Sequence, residues 1–424
     1  MFEKDTHSYL NGLRRFGWKL GLHNIAALLS SLGNPHQDYP CVHVAGTNGK
    51  GSTVAMLEAI FRQGGHKTGM FTSPHLQQVE ERIRINGQPI SEMRLANYLV
   101  DMRPVIDRLG CTYFEALTAI AFKHFSDSQV DIAFVEVGLG GTFDATNVVQ
   151  PVLSIITTID FDHCEYLGDT LTKIAQEKAG IVKQQVPCVV QTQTLEVDKL
   201  LEDICRKKNA PMYSLPAMCT LQIKGLSEAG STFDIICDDE KLSGLRLSLA
   251  GETQIQNAAL AVLVWRILNR LGLRAGKEAV LRGLQAVDWC GRLQKLQDHP
   301  KIVVDVAHNT GAIRSLLRNL RQVFTFEKLI IVIGLLADKN YPAITQLISA
   351  AADHIFVVTP QSDRALQGAV LMRELRDRVK SHEILADFDG GFAGVRGRAS
   401  KDDLICVTGS HYVVGEFLSF YKKS

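Results

Sequence analysis

A glycine-rich turn between an apolar run and a helix-like stretch constrains this chain more than any other feature. The apolar run ends at Ala45 and is followed by the letters GTNGKGST from Gly46 to Thr53. Apolar residues then recur at helical spacing from Val54 to Phe61. A strand, a tight glycine loop and a helix in this order form the context of a phosphate-binding loop. Backbone N–H groups and the helix N-terminus would bind phosphate oxygens there, and Lys50 would add a positive charge.

The loop departs from the commonest phosphate-loop spacing in two places. That pattern has a glycine five residues before the Gly-Lys pair, and here the position is Val44. A further glycine, Gly51, separates Lys50 from Ser52. A glycine turn that binds nothing is the alternative, but the strand, loop, lysine and helix together favour a nucleotide site. We therefore predict nucleotide contacts at Gly46, Thr47, Asn48, Gly49, Lys50, Gly51 and Ser52.

Size and composition limit the other possibilities. A chain of 424 residues exceeds what one hydrophobic core usually covers, so two or three domains are expected. Its 46 basic and 45 acidic residues nearly balance, which argues against a broad nucleic-acid surface but allows a local basic pocket. The nine cysteines include no CxxC pair and predict reduced thiols. With no apolar signal segment after Met1 and no apolar run of roughly 18 residues, we expect a cytoplasmic protein without a membrane partner.

Apolar runs and helical stretches alternate along the chain and predict an α/β fold. Buried strands are expected at 42–45, 67–71, 131–137, 152–159 and 186–191, with a hairpin at 81–87 and helices at 9–32, 112–125 and 174–178. Residues 212–249 alternate like short antiparallel strands, and a helix follows at 254–271. Further strands at 302–306, 329–333, 355–359 and 404–408 alternate with helices at 313–320, 341–351, 370–379 and 411–421.

The restart of this pattern predicts two domains. Residues 1–288 would form an N-terminal P-loop domain with a mostly parallel sheet and a small antiparallel addition. Residues 289–296 would be a hinge, and residues 297–424 a smaller, Rossmann-like C-terminal α/β domain. Ligands of parallel sheets bind at the carboxyl ends of the strands, so polar residues at those ends are the site candidates.

Four polar residues stand out by their positions. Glu136 ends a buried strand, where a carboxylate needs a partner, and His163 follows the next strand. Ser73 precedes a proline, and Lys178 lies near a helix end. Each has a structural alternative when taken alone: a turn cap for Glu136, a hydrogen-bonded core residue for His163, an ordinary turn for Ser73 and a helix-dipole partner for Lys178.

The letters GTNGKGS resemble the ATP loop of the Mur ligase superfamily, and the extra glycine resembles its folate branch. The resemblance implies that ATP is the nucleotide and that one or two Mg²⁺ ions are held by Ser73, Glu136 and His163. It also implies that Lys178 is carbamylated, which would turn a cation into an anion able to hold a second metal ion. Lys50, Lys178 and His308 would be the catalytic residues.

Three further segments carry the same resemblance. Gln256–Leu260 resembles a motif whose asparagine, here Asn257, contacts the adenine side of ATP. The letters CGR at 290–292 resemble a Pro-Gly-Arg hinge, which implies that Arg292 reaches the ATP phosphates. The letters DVAHN at 305–309 resemble Asp-Gly-Ala-His-Asn, which implies that Asp305 contacts nucleotide and that His308 lies near an acyl phosphate or the incoming amine. Three residues depart from the family pattern: Cys290, Val306 and Thr310.

For a pterin-bearing substrate the resemblance implies contacts in three segments. The residues are Trp18, Lys19 and Leu20, then Thr112, and then Phe143, Asp144 and Ala145. An aromatic ring and a carboxylate suit a flat heterocycle with amide-like donors, while core packing is the alternative for Phe143. Ser410 and His411 follow a predicted strand of the second domain and are candidates for binding glutamate.

The resemblance implies ATP-dependent amide formation. L-glutamate would be joined to dihydropteroate, and reduced folates would be extended through γ-glutamyl links, by a monomer that binds no nucleic acid. Three alternatives stay open: an enzyme with only the second activity, a ligase acting on muropeptides, and an ATP-binding switch without turnover. Gly51 opposes the muropeptide ligase, while His163, Lys178 and His308 together would have no use in a switch.

Overall fold

The structure is a computed structural model that describes residues 3–14, 21–191, 193–238, 240–376 and 381–423. Its strands form three sheets. The first contains β1 (Cys41–Ala45), β2 (Thr68–Phe71), β3 (Ile83–Ile85), β4 (Gln88–Pro89), β5 (Ile132–Glu136), β6 (Leu153–Ile156), β7 (Cys188–Val190) and β8 (Met212–Ser214). The second contains β9 (Cys219–Ser227), β10 (Gly230–Cys237) and β11 (Glu240–Leu247). The third contains β12 (Gln294–Asp298), β13 (Lys301–Val304), β14 (Leu329–Ile333), β15 (His354–Val358), β16 (His382–Leu385) and β17 (Leu404–Thr408).

Helices occupy most of the chain between these strands. Before β9 they are α1 (Glu3–Leu13), α2 (His23–Ser31), α3 (Lys50–Gln63), α4 (Glu92–Leu109), α5 (Tyr113–Asp127), α6 (Cys164–Leu167), α7 (Leu171–Lys178), α8 (Leu195–Lys207) and α9 (Leu215–Met218). After β11 they are α10 (Glu252–Arg270), α11 (Lys277–Ala286), α12 (Thr310–Val323), α13 (Tyr341–Ser349), α14 (Gly368–Leu375), α15 (Phe388–Arg398) and α16 (His411–Tyr421).

The first sheet has β1 near its centre, between β5 and β6. The six strands β2, β5, β1, β6, β7 and β8 lie side by side in this order and run parallel, while β3 and β4 extend the edge antiparallel. Every residue of β1 and β5 is buried because helices cover both faces of the sheet. Val42 and Val44 pack against a core with α3, α10 and α11, whereas Cys41 packs against one with α2, α4 and α5. This explains the near-continuous apolar runs of the sequence.

The third sheet confirms the second α/β pattern. β13, β17, β14, β15 and β16 run parallel in this order, and β12 pairs antiparallel with β13 at one edge. The three antiparallel strands β9 to β11 form a separate small sheet. The predicted fold class, a mostly parallel sheet with a small antiparallel addition and a second α/β sheet, is therefore confirmed.

Several predicted bounds are corrected by the structure. The helix expected at 9–32 is two helices, with α1 ending at Leu13 and α2 beginning at His23. The strand expected at 152–159 is only Leu153–Ile156, since the residues after it turn toward the cavity described below. Within 212–249, Met212–Ser214 pairs parallel with β7 instead of joining the antiparallel strands. Eight elements were not predicted from the sequence: α4, α6, α8, α9, α11, α15, β12 and β16.

The end of the predicted hinge belongs to the third sheet. Gln294 is the first residue of β12 and pairs with Val304 of β13. Residues 294–296 are therefore part of a strand, although the hinge was expected at 289–296. The division of the chain into domains at residue 288 stays a prediction.

The prediction that all cysteines are reduced is wrong for two of them. Cys219 and Cys237 lie opposite each other on β9 and β10 and form a disulfide. Of the remaining seven, five are buried, and Cys164 and Cys290 are exposed. The pair could not be read from the sequence, because it depends on the register of two strands and on no local spacing.

Candidate functional site

One cavity of about 260 Å³ collects residues from the first and third sheets. It lies at the carboxyl ends of β1, β5 and β6 on one side and of β13 and β17 on the other. The predicted nucleotide, metal and catalytic residues all line it, together with one candidate glutamate residue: Gly46, Thr47, Asn48, Gly49, Lys50, Gly51, Ser52, Ser73, Glu136, His163, Lys178, Asn257, Arg292, Asp305, His308 and His411. Strand ends that are far apart in sequence therefore form one site.

The glycine loop joins β1 to α3 without room for side chains. Gly46 has φ +143°, and a Cβ there would lie 1.8 Å from Oγ1 of Thr157. Gly49 has φ +90°, and a Cβ there would lie 2.5 Å from Oδ1 of Asn257. The amide of Thr47 donates to the carbonyl oxygen of Thr158 at 2.7 Å, which ties the loop to the end of β6. The loop is thus held in the compact form that a phosphate group needs.

Lys50 is the first residue of α3, and its side chain turns back over the loop. Its Nζ donates to the carbonyl oxygen of Thr47 at 3.1 Å. The ammonium group therefore lies above the same glycine turn whose amides precede the helix. A loop of this shape, with a helix N-terminus and one lysine, can hold the phosphates of a nucleotide.

Glu136 lies at the end of β5 beside the start of α3. Its Oε2 accepts a hydrogen bond from the backbone N–H of Ser73 at 3.0 Å. Burial raises the pKa of Glu136, while the charge of Lys50, the Ser73 amide and the charge of Arg292 lower it. The carboxylate of Glu136 and the hydroxyl of Ser73 are oxygen donors of the kind that Mg²⁺ prefers, so this part of the predicted metal set fits the ion.

His163 follows β6 in the left-handed conformation, with φ 51°. Its Nε2 lies 3.4 Å from Nζ of Lys339, and its Nδ1 lies 3.5 Å from Oδ2 of Asp338. Burial lowers the pKa of His163 to about 4. Across the residues that the structure describes, no group of three or more His, Cys, Asp and Glu side chains forms a metal centre. His163 thus contacts residues of the third sheet's loops and lines the same cavity as Glu136.

Asp162 connects the two halves of the cavity. Its Oδ1 accepts a hydrogen bond from Nζ of Lys339 at 2.6 Å. Its Oδ2 accepts one from Nδ2 of Asn309 at 3.2 Å and lies 3.4 Å from Nε2 of His308. Burial alone would raise the pKa of Asp162, but the hydrogen bond and charge of His308 and the charges of His163 and Lys339 hold it well below its usual range. Asp162 lies in a loop after a strand of the first sheet, and its carboxylate thus contacts three side chains from loops that follow strands of the third sheet.

Asn309 adds a second connection between the halves. Its side-chain amide exchanges hydrogen bonds with that of Asn48 in the glycine loop, at 2.9 and 3.2 Å. Its Oδ1 also accepts from the amide of Ala312 and so caps α12. The glycine loop and the start of α12 are therefore held together by one amide side chain.

Lys178 is a buried lysine beneath the glycine loop. Its Nζ donates to the carbonyl oxygen of Gly46 at 2.8 Å. Burial, followed by the charge of Lys50, lowers the pKa of Lys178 to about 7. A large share of this side chain is therefore a neutral amine near neutral pH, which is the form that reacts with an electrophile such as CO₂.

The remaining predicted nucleotide residues lie around the opening between the sheets. Asp305 accepts backbone hydrogen bonds from Leu293 and Ala307, both at 2.8 Å. Burial lowers the pKa of Arg292, while the charges of Asp305 and Glu136 raise it. Asn257 projects from α10 toward Gly49, as the close approach of its Oδ1 shows. These residues come from three elements and meet only in the folded chain.

The predicted pterin contacts that the structure describes do not line this cavity. Thr112 caps α5, with its hydroxyl accepting from the amide of Glu115 at 3.2 Å, and Asp144 accepts from the amides of Leu139 and Thr146. Phe143 is exposed, whereas Ala145 is buried. Trp18, Lys19 and Leu20 lie outside the described residues. Ser410, the second glutamate candidate, caps α16 by accepting from the amide of Val413.

Three residues of the site were not singled out from the sequence: Asp162, Asn309 and Lys339. Asp162 and Asn309 stand inside motifs that were noticed for their neighbours, His163 and His308. Lys339 stands in a loop after β14 and shows its importance only through burial, with a side chain that is 3% exposed. The available signal was its position beyond a strand end, the same signal that identified Glu136.

Two family models match the chain. The Mur ligase middle domain matches residues 44–265, and the Mur ligase glutamate ligase domain matches residues 291–411. Each match includes one side of the cavity: the first contains the glycine loop, and the second contains Arg292, Asp305 and His308. Because these models cover well over half of its residues, the chain belongs to the Mur ligase family.

Individual relatives narrow the assignment. A dihydrofolate synthase/folylpolyglutamate synthase of Bacillus subtilis is 33% identical, covering 97% of this chain and 97% of its own. The folylpolyglutamate synthase of Mycobacterium tuberculosis, complexed with ADP, has a TM-score of 0.90 at 30% identity and covers 100% of this chain and 99% of its own. E. coli FolC in complex with DHPP and ADP has a TM-score of 0.90 at 26% identity. The match covers 99% of this chain and 98% of the FolC chain. Within the family, the chain is a ligase of the dihydrofolate synthase/folylpolyglutamate synthase branch.

Among the described helices, none has the length and apolar character that crossing a membrane would require.

Proposed function

We propose that the protein joins L-glutamate to dihydropteroate and extends reduced folates through γ-glutamyl links, with ATP converted to ADP. The observation that carries this proposal is the single cavity in which Lys50 and the glycine loop face Arg292 and His308. The names of the relatives supply the substrates, and relatives solved with ADP support the nucleotide. A muropeptide ligase and a switch without turnover are disfavoured because the relatives with full coverage are folate ligases.

The first step activates a carboxyl group. An oxygen of the substrate carboxylate attacks the γ-phosphorus of ATP, the bond to the β–γ bridging oxygen breaks, and ADP leaves. Negative charge on the transferring group is stabilised by Lys50 and by the two-pronged guanidinium of Arg292. The loop amides and Asn257 hold the nucleotide, and Asp305 orients the segment that carries Arg292. The product is an acyl phosphate, which the site must protect from hydrolysis until the amine attacks.

The second step forms the amide. The amine of glutamate attacks the acyl carbon, phosphate leaves, and the nitrogen loses a proton. His308 lines the same cavity, and its Nδ1 donates to the carbonyl oxygen of Val306 at 2.8 Å, which fixes the orientation of its ring. We assign His308 to positioning the acyl phosphate and the incoming amine, and Ser410 or His411 to binding glutamate. Three reactants are thereby held in one place, which removes much of the entropic cost of their meeting.

Magnesium would be held by Ser73 and Glu136, with His163 as the third predicted ligand. When bound, the ion neutralises charge on the phosphate oxygens. One or two ions are expected. The expected contacts of the pterin ring are Trp18, Lys19, Leu20, Thr112, Phe143, Asp144 and Ala145.

We further propose that Lys178 is carbamylated. The amine is buried, its pKa is lowered to about 7, and it lies against the glycine loop, all of which favour reaction with CO₂. Carbon-13 NMR of protein prepared with labelled bicarbonate would show a carbamate signal that is absent in Lys178→Arg. An unmodified amine in fully active protein would contradict this assignment.

Release of ADP tests the proposed function. We expect turnover that requires both L-glutamate and a pterin substrate, either dihydropteroate or tetrahydrofolate. With L-glutamate present, turnover with tetrahydrofolate but not with dihydropteroate would indicate the enzyme that has only the second activity. Turnover that depends on a muropeptide would contradict the proposal. Lys50→Ala should abolish turnover in a folded protein, whereas His308→Ala should reduce ligation and largely spare nucleotide binding.

A cytoplasmic location, a monomeric state and a hinge between the two predicted domains remain predictions from the sequence.

A further inference from the structure

Arg82 is a buried arginine without an acidic partner. It ends a short 3-10 helix, Val79–Arg82, and is 8% exposed. Its Nε donates to Nδ1 of His75 at 2.9 Å. In the described part of the chain, no carboxylate forms an ion pair with Arg82, and an imidazole nitrogen brings no negative charge. Buried charges are normally paired, so this guanidinium is prepared for an anion that the chain itself does not supply.

A second arginine makes the same place more positive. The ring centre of Tyr113 lies 5.3 Å from Cζ of Arg82 and 5.0 Å from Cζ of Arg14. An aromatic ring attracts a cation, but it does not cancel the charge. Two guanidinium groups beside one ring repel each other, and an anion between them would remove this repulsion.

The loop that carries Arg82 is held rigidly. The carboxylate of Glu81 accepts hydrogen bonds from the amides of Leu76, Gln77 and Gln78, at 2.9, 3.0 and 2.9 Å. The side chain of Gln77 then donates to Oγ of Ser419 in α16 at 2.8 Å. The backbone of this loop also packs on α16, since a Cβ at Gly415 would lie 1.9 Å from the carbonyl oxygen of Leu76. Arg82 is therefore fixed between the first sheet and α16.

This position adjoins the proposed active site. His75, the hydrogen-bond partner of Arg82, comes two residues after Ser73, which lines the cavity. In keeping with this, the charge of Arg82 acts to lower the pKa of Glu136 and of His411, which line the same cavity. An anion bound at Arg82 would thus lie beside the place where the substrate carboxyl group is activated.

We propose that Arg82, with Arg14 beside it, binds a substrate carboxylate that is not the one activated. The inference rests on the proposed function, which supplies two sources of such a group. One is free L-glutamate, whose two carboxylates are not activated, and the other is the α-carboxylate of the terminal glutamyl residue of a reduced folate. Dihydropteroate has no second carboxylate, so the two reactions separate the two sources. Arginine suits this role because its planar guanidinium binds both oxygens of a carboxylate.

Arg82→Gln tests the proposal through separate KM values for ATP, L-glutamate, dihydropteroate and tetrahydrofolate. A charged hydrogen bond lost here should raise one KM about tenfold or more. A rise for L-glutamate in both reactions identifies free glutamate as the source, and a rise for tetrahydrofolate alone identifies the folate tail. Arg82→Lys, which keeps the charge without the fork, should show a smaller rise. The KM for ATP should not change.

Arg103→Gln is the matched control. Arg103 also lies over a tyrosine ring, with Cζ 4.7 Å from the ring centre of Tyr9, but it pairs with Asp107 at the surface. The Arg103→Gln variant should leave every KM unchanged. Should Arg82→Gln fail to fold, Arg82→Lys and the exposed Arg14→Gln carry the test. Unchanged KM values for both carboxylate substrates in folded Arg82 and Arg14 variants would overturn the proposal, while absence of turnover in the unmodified protein would overturn the function itself.

Discussion

Single glycines determine whether the loop after β1 can accept a phosphate. Gly49 and Gly65 have nearly the same backbone, with φ +90° and +89°, but only Gly49 has a neighbour that a Cβ would strike. Alanine at Gly65 should cost about 1 kcal/mol of folding free energy, because left-handed backbone disfavours a side chain, and at Gly49 the contact with Asn257 adds to this cost. We expect Gly49→Ala to weaken ADP binding by about tenfold or more and Gly65→Ala to leave it unchanged, as measured by calorimetry. Equal ADP affinities would show that the loop is not the phosphate site.

A buried histidine in β1 gives a pH dependence of stability. His43 is fully buried, its Nε2 lies 2.7 Å from Oγ1 of Thr146, and burial lowers its pKa to about 3. Below the ordinary pKa of 6.5 the unfolded chain binds a proton that the folded chain does not, so stability falls as the pH falls from about 6.5 toward 3.

The expected loss from His43 is about 1.4 kcal/mol between pH 7.5 and pH 5.5, with an ordinary histidine pKa of about 6.5 in the unfolded chain. Urea unfolding of the unmodified protein and of His43→Gln at both pH values measures it. The difference between the two proteins should shrink by this amount at the lower pH. A difference that does not depend on pH would mean that His43 titrates normally in the folded chain.

Some residues of the site could be predicted from the sequence next to them, and others could not. The glycine loop, Glu136 and Asp305 could be predicted because each stands directly at the end of an apolar run. Asp162 and Lys339 could not be paired from the sequence, since 177 positions separate them and only the folded chain brings them to 2.6 Å. Burial is what makes such a lysine informative, and burial is a property of the fold.

At the scale of elements, Thr112 has two possible roles that can be separated. Its hydroxyl accepts from the amide of Glu115 at 3.2 Å, and its own amide donates to Oε2 of Glu115 at 2.7 Å, which together form a capping box. Thr112→Ala should therefore lower the unfolding free energy by about 1 kcal/mol. Denaturant unfolding measures this loss, and Thr112→Ser should restore it.

Thr194→Ala is the control for a helix cap away from the site, because the hydroxyl of Thr194 accepts from the amide of Val197 in α8 at 3.5 Å, without the reciprocal bond of a capping box. If Thr112 also contacts the pterin ring, Thr112→Ala alone should raise the KM for dihydropteroate. Identical stability losses and an unchanged KM in both variants would leave Thr112 with a purely structural role.

Helices and strands could be predicted where a single pattern of apolar residues set their bounds. β14 and β17 begin and end as predicted because each is a short run made up almost wholly of apolar residues. α15 was missed since its glycines, in the letters FDGGFAGVRGR, disfavour a helix, and packing of Phe388, Phe392 and Val395 overrides that preference. The predicted helix at 9–32 was wrong because apolar spacing continues from α1 to α2, although α1 ends at Leu13 and Gly21 and Leu22 are not helical.

At the scale of the whole molecule, a change at Asn309 tests whether contact between the loops of the first sheet and those of the third sheet is needed for turnover. Asn309→Asp keeps the cap of α12, since aspartate caps helices as well as asparagine does. It loses the donor to Asn48 and places a negative charge beside Asp162, which like-charge repulsion makes costly. We expect kcat/KM to fall about tenfold or more, in steady-state assays of ADP release.

Asn340→Asp is the matched control for this change. Asn340 caps α13 by accepting from the amide of Ala343, and it should tolerate aspartate without loss of activity. Equal activities of the two variants would show that the Asn309 contacts do not contribute to turnover.

The central claim is that the nucleotide held in this cavity activates a substrate carboxyl group. Transfer of oxygen tests it most directly, with dihydropteroate labelled with ¹⁸O in its carboxylate and mass analysis of the phosphate released. Attack of the carboxylate on the γ-phosphorus leaves one carboxylate oxygen on phosphorus after the amide forms. We predict one labelled oxygen per phosphate released, with the remaining label in the new amide. Phosphate without label would contradict the acyl phosphate and with it this account of the site.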